Sequence, residues 1–180
     1  MIRKTILITW AVLAVATSLA AQVPLLSWKD RATKAPVKLQ DFAGEIVVLD
    51  YFAYWCVPCG PASKQIEEEI ARHYGDPAAQ QGVRVRVLGI NIENSRQDMT
   101  EKFIARAGIG RVLDDSKGAS MEYLGVRALP FIVVLDGRAA TAESGASGWS
   151  IAYQHNGLES VEKLRTVIDD LRSGKKKAKR

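Results

Sequence analysis

The sequence predicts an α/β protein in which a central mixed β-sheet is flanked by helices. The first observation is that apolar runs of strand length alternate with segments of helical periodicity over residues 46–124. Such alternation is typical of parallel strands that are joined by crossover helices. The second observation is the turn signal Asp136-Gly137, after which a last strand is expected to return as an antiparallel edge.

Composition indicates one packed domain, because 47% of the 180 residues are hydrophobic and 25% are charged. The formal charge of +5 is concentrated at the two ends of the chain. The residues between those ends are close to neutral, so a basic nucleic-acid-binding face is excluded and no nucleic-acid partner is expected. Two cysteines are too few for a small domain held together by disulfides.

Residues 1–20 have the layout of a secretory signal peptide. Arg3 and Lys4 precede a mostly apolar run from Ile6 to Ala16, and Ser18-Leu19-Ala20 has the small residues that a signal peptidase accepts. The alternative is an uncleaved membrane anchor, although the apolar run falls short of the roughly 20 residues of a membrane span. Either case places the protein in the periplasm or another extracytoplasmic compartment, where a disulfide can persist.

The first elements of the domain follow an extended lead-in over residues 21–36, which has no clear period and can contain short strands. The β-branched and aromatic run Ile46–Phe52 predicts a strand that is buried on both faces. One apolar stripe along residues 59–74 predicts a helix, on which Glu67, Glu68 and Glu69 are expected to form a solvated face. Residues 83–92 first alternate and then become apolar, which predicts a second strand.

The later elements are less regular. A helix is expected over residues 98–106, where Gly108 ends it, and a weaker helical pattern covers residues 116–124. Residues 131–135 predict a strand and residues 150–155 an edge strand. Apolar residues at helical spacing predict a last amphipathic helix over residues 158–171.

Residues 174–180 form a basic segment that is expected to be a solvated, disordered tail. The alternative is that this tail contacts an anionic membrane surface.

The chemistry of the chain is indicated by Trp55-Cys56-Val57-Pro58-Cys59-Gly60, which joins the first predicted strand to the first helix. Two intervening residues allow the two sulfurs to form a redox-active disulfide. At a helix N-terminus, the backbone N–H groups and the dipole favour an anion, so Cys56 is predicted to be the nucleophilic thiolate. Cys59, expected one turn further into the helix and more buried, would resolve the mixed disulfide. Pro58 is expected to stiffen the turn.

Two other interpretations of the cysteine pair are weaker. Half of a zinc site would need partners, but His73 and His155 lie far apart in sequence and there is no second cysteine pair. An inert structural disulfide would close so short a loop that it would restrict the unfolded chain little. No metal and no cofactor is therefore expected.

The segment FAYWCVPCGP after a buried strand resembles the thioredoxin superfamily, and specifically the exported TlpA/ResA-like thiol–disulfide oxidoreductases. The resemblance extends over about residues 37–173 and implies a thioredoxin-like domain with that enzymatic activity. Further stretches that fit the family are 39–44, 89–93, 124–130 and 135–138. The chain departs from the family at residues 139–150 and in an apparent insertion at 75–82.

The resemblance implies roles for three more residues. Pro130 would be the cis-proline that faces the cysteines and leaves neighbouring backbone free to pair with a substrate chain; the alternative is an ordinary trans turn proline. Asp50 would be a buried acid that takes the proton of Cys59, unless it lies at an exposed strand position. Trp55 is expected to be a partly exposed ring beside Cys56. Thioredoxin pairs this acid with a lysine, but Gly89 occupies the matching position here.

The sequence thus predicts an exported enzyme that reduces disulfides in partner proteins, in cytochrome c maturation or metal-centre assembly, with electrons from a membrane thiol donor. Val57 and Pro58 carry no positive charge beside Cys56, which favours a reductant over an oxidase. One alternative is a copper-binding chaperone that uses the cysteine pair and His155. Another is a binding module that uses the fold without turnover.

Overall fold

The computed structural model describes residues 26–75, 82–115 and 117–174. The predicted signal peptide, most of the predicted insertion and nearly all of the basic tail lie outside these residues. A seven-stranded sheet, in the order β2-β1-β5-β4-β3-β6-β7, forms the centre of the fold. Its strands are β1 (Ser27–Asp30), β2 (Pro36–Lys38), β3 (Ile46–Phe52), β4 (Val85–Asn91), β5 (Val112–Asp114), β6 (Phe131–Asp136) and β7 (Ser150–Asn156).

Helices cover the sheet and connect its strands. One helical stretch begins at Cys59 and ends at Gly75, and its middle turn is a π-helix over Glu67–Ala71. The other described helices have the expected amphipathic character, and none in the described part of the chain is long and apolar enough to cross a bilayer. The α-helices are α1 (Cys59–Ile66), α2 (Arg72–Gly75), α3 (Gln97–Ala107), α4 (Ala119–Tyr123) and α5 (Val161–Arg172), and a 3-10 turn covers Leu39–Phe42.

The topology confirms the predicted α/β class and the mixed sheet. The central strand β3 pairs in parallel with β4 and antiparallel with β6. The hairpin of β6 and β7 is antiparallel, and β7 is an edge strand. The order of strands therefore places the end of β3, where the cysteine motif begins, in the middle of the sheet.

Three short strands did not follow from the sequence pattern. The lead-in contains β1, which pairs with both β2 and β5, so part of this segment belongs to the sheet. The strand β5 lies in a stretch for which no element was expected. Strands of three or four residues are too short to show a period, and only their partners in the sheet decide that they form.

Side chains of β3 alternate between two packed layers, as the pleat of a strand requires. Val47, Leu49 and Tyr51 join the core on the side of β1, β2 and α4. On the other face, Ile46 and Val48 pack against the first helical stretch and α5. Phe52 lies further along this second face, in a cluster that also contains both cysteines. Asp50, which lies between Val48 and Phe52, therefore faces the layer of α1.

Candidate active site

Cys56 and Cys59 are joined by a disulfide, with their Cα atoms 5.4 Å apart. The two residues differ in exposure, because 6% of the surface of Cys56 and none of that of Cys59 reaches solvent. This asymmetry has the direction expected for an attacking residue and a resolving residue.

The start of the helix differs from the sequence expectation. The helix begins at Cys59, with Pro58 as its N-cap, so Cys59 is the first helical residue and does not lie one turn inside. Cys56 precedes the helix, and its carbonyl accepts a hydrogen bond of 3.2 Å from the N–H of Cys59. The reason is steric: a residue that precedes proline is pushed out of helical conformation, so Val57 cannot belong to the helix.

Two exposed apolar side chains flank Cys56. The exposed fraction is 55% for Trp55 and 87% for Val57. The ring of Trp55 is held in place, because its Nε1 donates a hydrogen bond of 3.2 Å to the carboxylate of Glu93. That carboxylate in turn accepts from the backbone N–H of Ser95, which lowers the pKa of Glu93. Sequence reasoning missed Glu93, although it follows β4 at the edge where the parallel β3 also ends.

A groove of about 470 Å³ lies beside Cys56, between the start of α1 and the end of α3. Its walls are mainly apolar, while Lys64 and Arg106 contribute positive charges. A groove at this place can receive a side chain of a protein that approaches the disulfide. Its lining residues are Tyr54, Cys56, Val57, Gly60, Pro61, Lys64, Phe103, Arg106 and Ala107.

Asp50 is 2% exposed, so the exposed alternative for this residue is wrong. Burial raises the pKa of Asp50 to about 7, and the negative charge of Glu67 adds to the rise while the Ser63 hydroxyl opposes it. Neither Oδ1 of Asp50 nor Oγ of Ser63 has a hydrogen-bond partner of good geometry. The carboxyl group can therefore gain and lose a proton near neutral pH.

Gly89 lies directly opposite Asp50 in the register of β3 and β4. A side chain at this position has no room, since a Cβ atom would lie 2.8 Å from Ile109 Cγ2 and 3.2 Å from the ring of Phe52. Two apolar side chains thus fill the space next to position 89, and no lysine can occupy it. Among the described residues, no cation lowers the pKa of Asp50.

The peptide bond between Leu129 and Pro130 is cis. Leu129 packs against the cluster that contains Cys56 and Cys59, which places this segment beside the disulfide. Pro130 is buried, and its carbonyl accepts a hydrogen bond of 2.6 Å from the N–H of Gly157.

The two histidines are not brought to the cysteines. His155 lies on the edge strand β7, exposed, and its Nδ1 is 3.2 Å from the carbonyl of Gly157. It is two strands from β3, about 10 Å across the sheet. His73 stacks edge-on against Tyr74 near the end of the helical stretch. Among the described residues, no group of three or more His, Cys, Asp or Glu side chains is arranged to hold a metal ion.

Glu67 and Glu69 differ from the solvated face expected for the three glutamates, because both are partly buried, whereas Glu68 is exposed. The carboxylate of Glu67 is close enough to Asp50 to influence its titration. The spacing of Cys59, Ser63 and Glu67, four residues each, was the sequence signal that would have placed all three on one side of the helix.

No protein-family model matches the sequence. Among solved structures, StoA from Bacillus subtilis is 21% identical, with a TM-score of 0.59 over 81% of this chain and 98% of that one. A DsbF homologue from Corynebacterium diphtheriae is 22% identical, with a TM-score of 0.62 over 83% and 87%. A secreted thiol-disulfide isomerase from Corynebacterium glutamicum is 18% identical, with a TM-score of 0.65 over 83% and 84%. The strand order and these likenesses together show that the chain has the thioredoxin-like fold.

Proposed function

We propose that the protein is an exported thiol–disulfide oxidoreductase of the TlpA/ResA-like kind that reduces disulfides in other proteins. The observation that carries the proposal is the cysteine pair itself. It follows the central strand, with Cys56 6% exposed, Cys59 fully buried, and a carboxyl group of raised pKa in the layer beneath. An inert disulfide would need neither the asymmetry nor the acid. The likeness to proteins named as thiol-disulfide isomerases and Dsb homologues supports the same conclusion.

The reaction begins with the reduced protein. The thiolate of Cys56 attacks one sulfur of a partner disulfide, and the other partner sulfur leaves as a thiolate that takes a proton from water. Cys59 then loses its proton to Asp50 and attacks Cys56, which releases the second partner sulfur as a thiolate that also takes a proton from water. The partner gains two electrons and two protons overall, and the cysteine pair becomes a disulfide.

Partner binding uses the surface around Cys56. Trp55 and Val57 present apolar contacts, and the groove beside Cys56 accepts a partner side chain. The backbone before Pro130, where Arg127 and Ala128 are exposed, pairs with an extended partner segment by strand addition. Pro58 holds the turn that exposes Cys56.

The cellular context of the proposal comes from both ends of the chain. The predicted signal peptide places the protein in the periplasm or outside the cytoplasm, where a membrane thiol donor supplies the electrons. A reductant of protein disulfides in that compartment would act on partner proteins in cytochrome c maturation or in metal-centre assembly. The basic tail would keep the protein near an anionic membrane surface.

Two single substitutions test the proposed function. Cys56→Ser should abolish disulfide exchange with insulin, because the attacking thiolate is removed. Cys59→Ser should accumulate mixed disulfides, which are visible on non-reducing gels and identify the partners by mass spectrometry. Equal labelling of both reduced cysteines by iodoacetamide near neutral pH would contradict the assignment of roles.

A further inference from the structure

A stripe of polar residues runs along the inner side of the first helical stretch. Cys59, Ser63 and Glu67 are spaced four residues apart, so they lie on one side of the helix. Cys59 and Ser63 are completely buried, while Glu67 is partly exposed. The stripe therefore leads from the resolving sulfur to the surface of the molecule, away from the partner-binding side.

Asp50 faces this stripe from the central strand. The hydroxyl of Ser63 is near enough to lower the pKa of Asp50, and the carboxylate of Glu67 is near enough to raise it. Oδ1 of Asp50 and Oγ of Ser63 have no hydrogen-bond partner of good geometry. Two buried polar atoms without hydrogen-bond partners lower the stability of a core. Because the two lie near each other, we look for a functional reason for them.

Glu67 is held at the end of the stripe. The backbone N–H of Gly110 donates to its carboxylate, whose pKa is raised by burial and lowered in part by this bond and by Arg72. The π-helix begins at Glu67, and such wide turns frequently occur at functional sites. The irregular turn thus starts at the residue whose carboxylate acts on Asp50.

Few other charges act on these groups in the described part of the chain. The neighbours of Asp50 in the sheet are Gly89 on β4 and Ile132 on β6, and neither can carry a charge. The loop after α3 contributes the backbone of Gly110, and the helix contributes Arg72. The titration of Asp50 therefore depends on burial, on Ser63 and on Glu67.

We propose that Glu67 is a positioning residue for the resolving step, which keeps Asp50 ready to accept a proton and, through Ser63, gives that proton a way out to water. The proposal rests on the proposed function. The proton of the Cys59 thiol passes to the Asp50 carboxylate as Cys59 attacks Cys56 and the partner thiolate leaves. It then passes by way of the Ser63 hydroxyl to Glu67 and to solvent. Asp50 is then ionised again, and water is the final acceptor of the proton.

The experiment follows release of the reduced partner in single-turnover mixing of the full chain with a fluorescent disulfide peptide, between pH 5 and 9. In Glu67→Gln the pH midpoint of release should fall, because a negative charge beside Asp50 has been removed. In Ser63→Ala the midpoint should rise, because the nearby hydroxyl that lowers the pKa of Asp50 is removed. Both variants should also slow the release step, on the order of tenfold.

Three controls make the result decisive. Glu69→Gln, on another face of the same turn, should leave the midpoint unchanged, and Glu67→Asp should restore most of the rate. In an Asp50→Asn background, Glu67→Gln should have no further effect on the pH profile. Circular dichroism spectra show whether each variant folds.

An unchanged midpoint in a folded Glu67→Gln protein would overturn the relay, while formation of the mixed disulfide would still support the oxidoreductase. Failure to form any mixed disulfide in the unmodified protein would instead overturn the proposed function.

Discussion

At the scale of single residues, three side chains decide what the cysteine motif can do. Cys56 and Cys59 carry the same thiol group, and their difference comes from their exposure and from their positions relative to the start of the helix. The surroundings of Asp50 allow it to carry a proton near neutral pH, because the same carboxyl group in water would be ionised at every physiological pH. Burial moves the pKa of Asp50 to about 7, where proton exchange with a thiol becomes possible.

Asp50→Asn should slow release of the reduced partner and leave the first attack by Cys56 much less affected. We expect a loss of about a hundredfold in the release step, the lower end of what a positioned acid or base contributes. Single-turnover mixing separates the two steps. Equal slowing of both steps would contradict a role that is confined to Cys59.

The same substitution should change how stability depends on pH. The folded pKa of Asp50 lies above its unfolded value, so the folded state favours the proton and the unmodified protein loses stability as pH rises from about 4 to about 7. Asp50→Asn removes this loss. The variant should therefore be more stable than the unmodified protein above pH 7, by a few kcal/mol at about 1.4 kcal/mol per pKa unit, with a smaller difference at pH 4. Urea unfolding at both pH values measures the difference, and an equal effect at both would contradict the raised pKa.

At the scale of elements, the pairing of β3 with β4 sets the chemistry of Asp50. The register places Gly89 beside the acid, and Ile109 and Phe52 fill the space that a longer side chain would need. The packing of the sheet against the loop after α3 therefore leaves no room for a lysine at position 89. Burial raises the pKa of Asp50, and the packing beside Gly89 leaves no room for a cation that would lower it.

Gly89→Ala should destabilise the protein by about 1–3 kcal/mol, because its Cβ would lie 2.8 Å from Ile109 Cγ2 in a filled core. Gly75→Ala is the matched control, since a Cβ atom there meets nothing within 4 Å. Thermal unfolding of both variants provides the comparison. A Gly89→Ala protein as stable as the control would mean that the core relaxes around the added methyl group.

The stability of the last helix, α5, depends on its N-cap residue Ser160. Ser160 Oγ accepts a hydrogen bond of 3.1 Å from the N–H of Lys163 at the start of α5. Ser160→Ala should cost about 1 kcal/mol of unfolding free energy, and Ser160→Asp should retain most of it. Urea denaturation of the three proteins tests this, and equal stability of the alanine and aspartate variants would show that the cap does not matter.

At the scale of the whole molecule, we expect the proposed redox centre to be a mild one. The disulfide lies at the N-terminus of one helix, where the dipole favours the Cys56 thiolate. Pro58 at the N-cap and Pro61 in the first turn lack N–H groups, so fewer donors face that thiolate than a helix normally offers. Val57 adds no charge. We therefore expect the reduced form to be stabilised only moderately, as the proposed role of a reductant requires.

Equilibration against dithiothreitol should give a reduction potential well below that of strongly oxidising exported oxidases, which is about −120 mV. The physical reason is that a thiolate with little added stabilisation leaves the disulfide relatively stable. Fluorescence of Trp55, beside the disulfide, reports the redox state. A potential near −120 mV would contradict the assignment as a reductant.

The sequence by itself determined the class of fold, the central strand and the cysteine chemistry. Ile46–Phe52 is apolar enough that it must be buried on both faces, and two cysteines that end such a strand are close whatever the rest of the chain does. These conclusions depend on local pattern. Pro58 sets the start of the helix at Cys59, which is also a local effect, but the sequence pattern did not predict this start.

Only the tertiary structure decided what surrounds the cysteines. The short strands β1, β2 and β5 form because partners are present, and Glu67 faces Asp50 because the helix is rotated that way over the sheet. Trp55 donates its hydrogen bond to Glu93 because the ends of β3 and β4 lie side by side in the sheet. Burial and proximity between residues far apart in sequence arise only when the layers pack, and the pKa of Asp50 depends on both.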